Sequence, residues 1–405
     1  MTKPPITADS VHESPAGPGP RAARCERIAP FHVMSLVARA QALAAAGHDV
    51  IHLGVGEPDF PTPAPVIEAG QRALADGQTR YTPAAGMASL REAIAGFYAS
   101  RFGVHVPAEC VVVTPGASGA LQLLLASLVD PGDEVLVTDP GYPCNRHFVE
   151  LVNGVPRPLL LDPANGWALT PEQIAAAWNS RTRAALLASP DNPTGNVMTP
   201  SQVGALADVV RERGGALIMD EIYQGLVYDA PAFTALSVAP DTLVINSFSK
   251  YFGMTGWRLG WLVAPRSRVP DLERMAQNFF LAPSTLAQHA ALAAFSPDTL
   301  AELERRRQQL AERRALLLSR LPALGLHVVG EPAGAFYLYL DASALTDDSF
   351  GFCERLLEQA HVALTPGVDF GSGHNPAQYL RVAYTCDLAR LDEALTRIVG
   401  FLERA

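Results

Sequence analysis

The chain has 405 residues, 48% of them hydrophobic and 18% charged, with a formal net charge of −10. That length exceeds one ordinary core, so two domains, or one large α/β unit with a smaller companion, are expected. The acidic balance opposes nucleic acid and anionic membranes as partners, and no run of about 18 uninterrupted apolar residues is present to span a bilayer.

Residues 1–27 are rich in Pro, Gly and Ala (Pro4-Pro5, Ser14-Pro15, Gly17-Pro18-Gly19-Pro20), which predicts a disordered tail. They carry no apolar core run, so a secretory signal is not expected and the cytoplasm is the default compartment. Cys25, Cys110, Cys144, Cys353 and Cys386 form no Cys-x-x-Cys pair. That argues against a disulfide framework or a zinc site and fits a reducing compartment.

From about residue 110, short apolar runs alternate with helical stretches. The runs 111–114, 134–138, 184–188, 216–219, 242–246 and 259–263 read as strands. Continuous apolar strands separated by helices predict a largely parallel sheet covered on both faces, with ligands bound beyond the carboxyl ends of its strands. One long helical region is expected over 284–321. Its Leu303, Leu310, Leu317 and Leu321 are at helical spacing, so the arginines at 305–307 and 313–314 read as a solvated helix face rather than a nucleic-acid surface. Strands at 325–329, 335–340 and 379–384 and helices at 350–360 and 388–403 then suggest a smaller α+β domain. The expected division is a tail over 1–27, a large domain over 54–285, and a small domain from 28–53 and 286–405.

The most specific stretch is Ser247-Phe-Ser249-Lys250, with Thr255-Gly-Trp-Arg258 following. A lysine just past a buried strand is costly unless it reacts; burial lowers its pKa, and the neutral amine can attack a carbonyl. Ser247 and Arg258 suit a phosphate. A lysine with a phosphate clamp is the minimum needed to hold pyridoxal 5′-phosphate (PLP) covalently. Upstream, Thr114-Pro-Gly-Ala117-Ser118-Gly-Ala120 joins a strand to a helix whose start offers free N–H groups. Asp139-Pro-Gly-Tyr142 puts an aromatic past a strand, and Asn192-Pro-Thr-Gly195 is a tight turn led by a short amide. Asp220 ends an apolar strand and has to be paired, and PLP chemistry needs a carboxylate against the pyridine nitrogen. Arg381 lies inside the apolar stretch 379–384, where an inward arginine needs a planar anionic partner.

Together these motifs resemble the fold-type-I PLP enzymes, in particular the class I/II aminotransferases, over about residues 30–400. The resemblance implies an α/β fold: a large domain with a mostly parallel seven-stranded sheet between helices, plus a smaller α+β domain. It implies Lys250 as the catalytic residue that holds PLP and moves the proton. Ala117, Ser118, Ser247 and Arg258 become phosphate contacts, and Tyr142 stacks on the ring. Asn192 and Tyr223 bond O3′, and Asp220, placed by the Asp-Glu-x-Tyr motif, meets the ring nitrogen. Gly56, in Gly54-Val-Gly56-Glu-Pro-Asp59-Phe60, faces the substrate with its backbone, while Arg381 and Asn192 grip the α-carboxylate. Arg80-Tyr81-Thr-Pro-Ala-Ala-Gly86 resembles the segment that lends a tyrosine to a neighbouring subunit's phosphate, which implies an obligate homodimer with Tyr81 acting across the interface. No metal is implied.

The substrates expected are an L-amino acid and a 2-oxo acid such as 2-oxoglutarate, exchanged by a ping-pong route. Family members devoted to aspartate often carry a lysine where Ser118 stands. Its absence, with Phe31, His32, Met34, Phe279 and Phe280 expected round the pocket, favours a small neutral or apolar donor such as alanine, with aspartate as the alternative. A PLP-dependent C–S lyase of the same fold would keep every cofactor residue. A non-catalytic PLP-binding regulator is the third reading; the short Pro/Gly-rich N-terminus and the complete lysine–arginine set argue against it.

Overall fold

The computed structural model describes residues 20–28 and 30–404 and falls into two compact units, divided after Pro30. Residues 1–19 of the expected tail lie outside the described residues. Within the rest of it, Arg24–Arg27 forms one helical turn.

Among the described residues, every strand lies in the unit from Phe31 onward. In chain order these are β1 (Ile51–His52), β2 (Val111–Thr114), β3 (Glu134–Asp139), β4 (Val155–Leu160), β5 (Thr182–Ala188), β6 (Ala216–Asp220), β7 (Leu243–Ser247), β8 (Gly260–Val263), β9 (His327–Val328), β10 (Tyr337–Asp341), β11 (Val362–Ala363), β12 (Thr365–Pro366) and β13 (Tyr379–Ala383). Seven of them form one sheet in the order β2-β8-β7-β6-β5-β3-β4. β7, β6, β5, β3 and β4 pair in parallel, and β8 runs antiparallel to both its neighbours.

The apolar runs are continuous because both faces of this sheet are covered. Val111, Val113, Leu187, Met219 and Val244 join one buried cluster, while the residues between them, Val112, Leu186, Ile218 and Ile245, join the other. This is the two-residue alternation of a strand, with an apolar side chain needed at every position. β2 and β3 are consecutive in the chain yet sit on opposite sides of β8, β7, β6 and β5. The chain therefore changes direction across the sheet, and the crevice past the carboxyl ends is a natural ligand site.

Four strands form a smaller antiparallel sheet, β12-β13-β10-β9. Its register sets Arg381 opposite Thr365 on one side and Tyr339 on the other. β1 pairs in parallel with β11, Ile51 opposite Val362, and so brings the Gly54–Phe60 loop to that sheet.

β4, for which the sequence reading names no strand, carries Pro156 and Pro158 as the outermost strand, where the missing N–H groups cost no ladder bonds. Two local expectations are corrected. The helix expected over 284–321 is broken. Thr285–Leu292 ends in a turn, and a new helix, Pro297–Arg320, starts with Ser296 Oγ accepting from Thr299 N at 3.3 Å. Ser-Pro at N-cap and N1 is the local reason. Arg313 and Arg314 of that helix are buried rather than solvated, because each is consumed by partners from elsewhere: Arg313 by Asp59, and Arg314 by Pro332 O and Asp229. Among the described residues, no helix is long and apolar enough to cross a membrane.

Candidate active site

A cavity of about 280 Å³ lies past the carboxyl ends of β5, β6 and β7, and every residue expected to hold the cofactor or the substrate carboxylate, except Tyr81, lines it. It has three chemically distinct parts.

The first is built for an anion. The helix Gly116–Leu128 starts here without a side-chain cap, so its leading N–H groups stay free, and Ala117 and Ser118 face the cavity. Gly116 has φ +71°, and a Cβ on it would lie 2.9 Å from Arg258 Nη2. Glycine therefore lets the guanidinium lie over the helix start. A Cβ on Gly260 would lie 2.7 Å from the Gly116 carbonyl carbon, so the first residue of β8 must also be bare. Ser247 Oγ accepts from Ser249 N and donates to Ser249 Oγ, both at 3.0 Å, which holds two hydroxyls beside Arg258. Hydroxyls, a guanidinium and a helix N-terminus together suit a phosphate.

The second part is a buried acid–base pair of groups. Lys250 Nζ donates to Gly56 O at 2.6 Å. Burial, then the nearby Arg381 charge, pushes its amine down to about 8. Asp220 is buried, and its carboxyl accepts a single bond, from Ile222 N at 3.1 Å. Burial pushes its carboxyl up to about 7, against the pull of that bond and of Lys250. A buried carboxyl with so few donors, facing a cavity, is the complement of a cationic ring nitrogen. Tyr142 forms a wall, and the hydroxyls of Tyr223 and Tyr337 share a hydrogen bond of 2.9 Å.

The third part is Arg381, 6% exposed within β13. Its Nη1 donates to Asn192 Oδ1 at 2.9 Å and its Nη2 to Gly54 O at 2.6 Å. Its guanidinium carbon stands 4.2 Å from the Tyr337 ring centroid and 4.8 Å from that of Phe370. The buried Nε has no partner. A fork fixed by packing and still short of acceptors is suited to a carboxylate. The Asn192 turn is braced by Asp191, whose buried carboxyl takes bonds from Thr194 N at 3.2 Å and Thr194 Oγ1 at 2.7 Å. The Gly56 loop is braced by Arg313, which grips both oxygens of Asp59 at 2.7 and 2.9 Å.

A flat heteroaromatic phosphate bearing a carbonyl meets a complement in each of the first two parts: donors for the phosphate, a carboxyl for the ring nitrogen and a partly neutral amine for the carbonyl. The residues present therefore fit PLP.

Sequence reasoning overlooked Ser249, Tyr337, Thr365, Asp369 and Phe370, all of which line the cavity. Ser249 had a local signal, since it lies two residues beyond Ser247. Tyr337 had none, because its partner Tyr223 is 114 residues away. The expected side-chain pocket is also corrected. Phe31 and Val33 line the cavity, but the His32 ring packs edge-on against Phe350 at 5.6 Å, and Met34 is 55% exposed. Successive helical residues point about 100° apart, so neighbours in the chain do not share a wall. Phe279 is exposed, and Phe280 packs against the buried cluster on one face of the large sheet; neither lines the cavity. Tyr81 is 83% exposed and stands outside the cavity of its own chain.

The family described as Aminotransferase class I and II matches residues 48–398. The aspartate/prephenate aminotransferase of Thermus thermophilus is 38% identical, covering 94% of this chain and 98% of the relative. The valine–pyruvate aminotransferase of Mycobacterium tuberculosis is 36% identical, covering 93% and 97%. A crystal structure of an aminotransferase from Mycobacterium tuberculosis superposes with a TM-score of 0.91 at 35% identity, covering 96% of this chain and all of that one.

Proposed function

The chain belongs to the class I and II aminotransferases, which are PLP-dependent transaminases of fold type I, and from that premise we propose that it moves the amino group of a small neutral or apolar L-amino acid, such as alanine, to a 2-oxo acid such as 2-oxoglutarate. PLP, when bound, supplies a carbonyl that condenses with amines and a protonated ring that takes up the electron pair released at the donor's Cα. The protein's own groups do the rest. Ser118, Ser247, Ser249, Arg258 and the helix start at Gly116 hold the phosphate. Asp220 keeps the ring nitrogen protonated, and Tyr142, Asn192 and Tyr223 fix the ring's position. Lys250, held at Gly56 O and pushed down to about 8, has a neutral fraction near pH 7.5 that can take a proton from Cα and return one to the cofactor side. Arg381 and Asn192 fix the donor's carboxylate, and with it the direction of the Cα–H bond.

The side-chain preference rests on one observation. The cavity's cations are Lys250, Arg258 and Arg381, each already committed, and its remaining wall includes Phe31, Val33, Leu121, Pro143 and Phe370. Among the described residues, a donor with a second carboxylate finds no further cation in the lining of this cavity. The names of the relatives do not decide the matter, since valine–pyruvate and aspartate/prephenate activities occur at nearly equal identity. We also read the protein as a homodimer in which exposed Tyr81 reaches the partner's phosphate end.

The test mixes PLP-loaded protein with single amino acids, without oxo acid, and follows cofactor absorbance and ammonia. Conversion to pyridoxamine phosphate without ammonia, faster with alanine than with aspartate, is expected. Aspartate as the fastest donor would overturn the side-chain reading. Continuous release of ammonia and oxo acid would replace transfer by lyase chemistry.

A further inference from the structure

We propose that Asp369 is a positioning residue that sets the apolar wall of the donor side-chain pocket, by capping from the other end of the chain the helix that carries that wall. The proposal rests on the reading of this cavity as the amino-acid site.

The helix His32–Ala45 begins after Phe31, whose side chain has no acceptor to offer the first turn. Leading N–H groups without partners weaken a helix start. Here the carboxylate of Asp369 supplies both bonds: Oδ1 accepts from His32 N at 2.8 Å and Oδ2 from Val33 N at 2.9 Å. Asp369 is only 3% exposed. Two charge-assisted bonds and the positive end of the helix offset the cost of burying it.

The location gives this cap its significance. Phe31 and Val33, at the capped turn, line the cavity, and so does Asp369 itself. The next residue, Phe370, packs its ring against the Arg381 guanidinium, and Thr365, at the start of the same short segment, pairs with Arg381 in the sheet. Residues 365–370 thus hold the arginine at the carboxylate end of the cavity and fasten the wall at its side-chain end. Substrate class follows from that wall. Phe31, Val33 and Phe370 offer apolar surface, so the donor that gains most from a fixed wall has an apolar side chain long enough to reach it. Leucine meets this condition, whereas alanine is too short to depend on it.

The test compares the PLP-loaded wild type with Asp369→Asn, which keeps one acceptor oxygen, and Asp369→Ala, which keeps none. Half-reaction kinetics with alanine and leucine are measured alongside amide hydrogen exchange of the peptide covering 31–45. Losing two bonds to a charged acceptor is expected to raise the leucine KM by about tenfold or more in Asp369→Ala and by less in Asp369→Asn. Any rise in the alanine KM should be smaller, so that the leucine-to-alanine KM ratio increases, and exchange at the helix start should accelerate in the same order. If Asp369→Ala does not fold, Asp369→Asn carries the comparison. Faster exchange with an unchanged leucine-to-alanine KM ratio would reduce Asp369 to a helix cap and overturn the proposal, as would an equal loss of kcat for both donors. A wild type that prefers acidic donors would instead overturn the substrate reading. The exchange rates and the effect of the variants on those donors' KM would then decide the role of Asp369 separately.

Discussion

Asp220→Asn tests the electrostatic design of the site most directly. The carboxyl is buried, and its pKa is raised from 3.8 to about 7, chiefly by desolvation. A carboxyl whose folded pKa lies above its unfolded one contributes full stability below the unfolded value. That stability is lost as pH rises through the folded value. At about 1.4 kcal/mol per unit, the ionised carboxylate costs the cofactor-free fold roughly 4 kcal/mol at pH 8 but under ~2 kcal/mol at pH 5. Asparagine carries no such charge. In urea melts of the two apoproteins at equal concentration, the stability difference should therefore move by roughly 3 kcal/mol in favour of Asp220→Asn between pH 5 and pH 8. Asp191 and Glu221 are also buried acids with raised pKa values, about 6 and about 8, that titrate in both proteins; the Asp220 charge helps to raise Glu221, so its removal moves the difference further in the same direction. Saturating PLP should reverse the order at pH 8, because a protonated ring nitrogen gives the wild-type carboxylate its missing partner. A difference that stays constant from pH 5 to pH 8, or that moves toward the wild type without cofactor, would refute the reasoning.

Three other perturbations follow from the same geometry. Arg381→Lys keeps the charge but loses the planar fork that serves Asn192 and Gly54, so kcat/KM should fall by about 10²-fold, mainly through KM, in half-reaction kinetics. Retention of wild-type KM would remove Arg381 from carboxylate recognition. In Gly56→Ala the new Cβ would lie 2.2 Å from Tyr337 Oη, so stability should fall by about 1–3 kcal/mol. Adding Tyr337→Phe leaves Cζ at 3.2 Å as the nearest atom, and thermal melts of the double variant should show partial recovery. If Tyr81 acts across a dimer, mixing the weakened Tyr81→Phe protein with inactive Lys250→Ala protein should restore activity. In the hybrid, one site has both residues. No gain on mixing would place Tyr81 outside the neighbour's site.

Much of the large sheet and most of the site were legible because their signals are local. An apolar run buried on both faces declares a central strand, and a lysine or aspartate just past such a run declares chemistry. Lys250, Asp220, Asn192 and Ser118 could each be named from the few residues around them, and they share one cavity because the strand ends that carry them share one edge of the sheet. Local signals also misled where tertiary context outweighed them. Arg313 looked like surface until Asp59 arrived from 254 residues away, and the helix read as continuous over 284–321 is interrupted where Ser296 starts a new one.

The sequence by itself determined the fold class and the cofactor, because motifs of short fixed spacing carry the resemblance to the class I and II aminotransferases. Only the tertiary structure decided what surrounds the substrate. The Tyr223–Tyr337 bond, the Asp59–Arg313 clamp and the Asp369 cap that fixes the turn at Phe31 join residues 114 to 337 positions apart. Such contacts are set by sheet register and helix rotation, and no stretch of neighbouring residues encodes either.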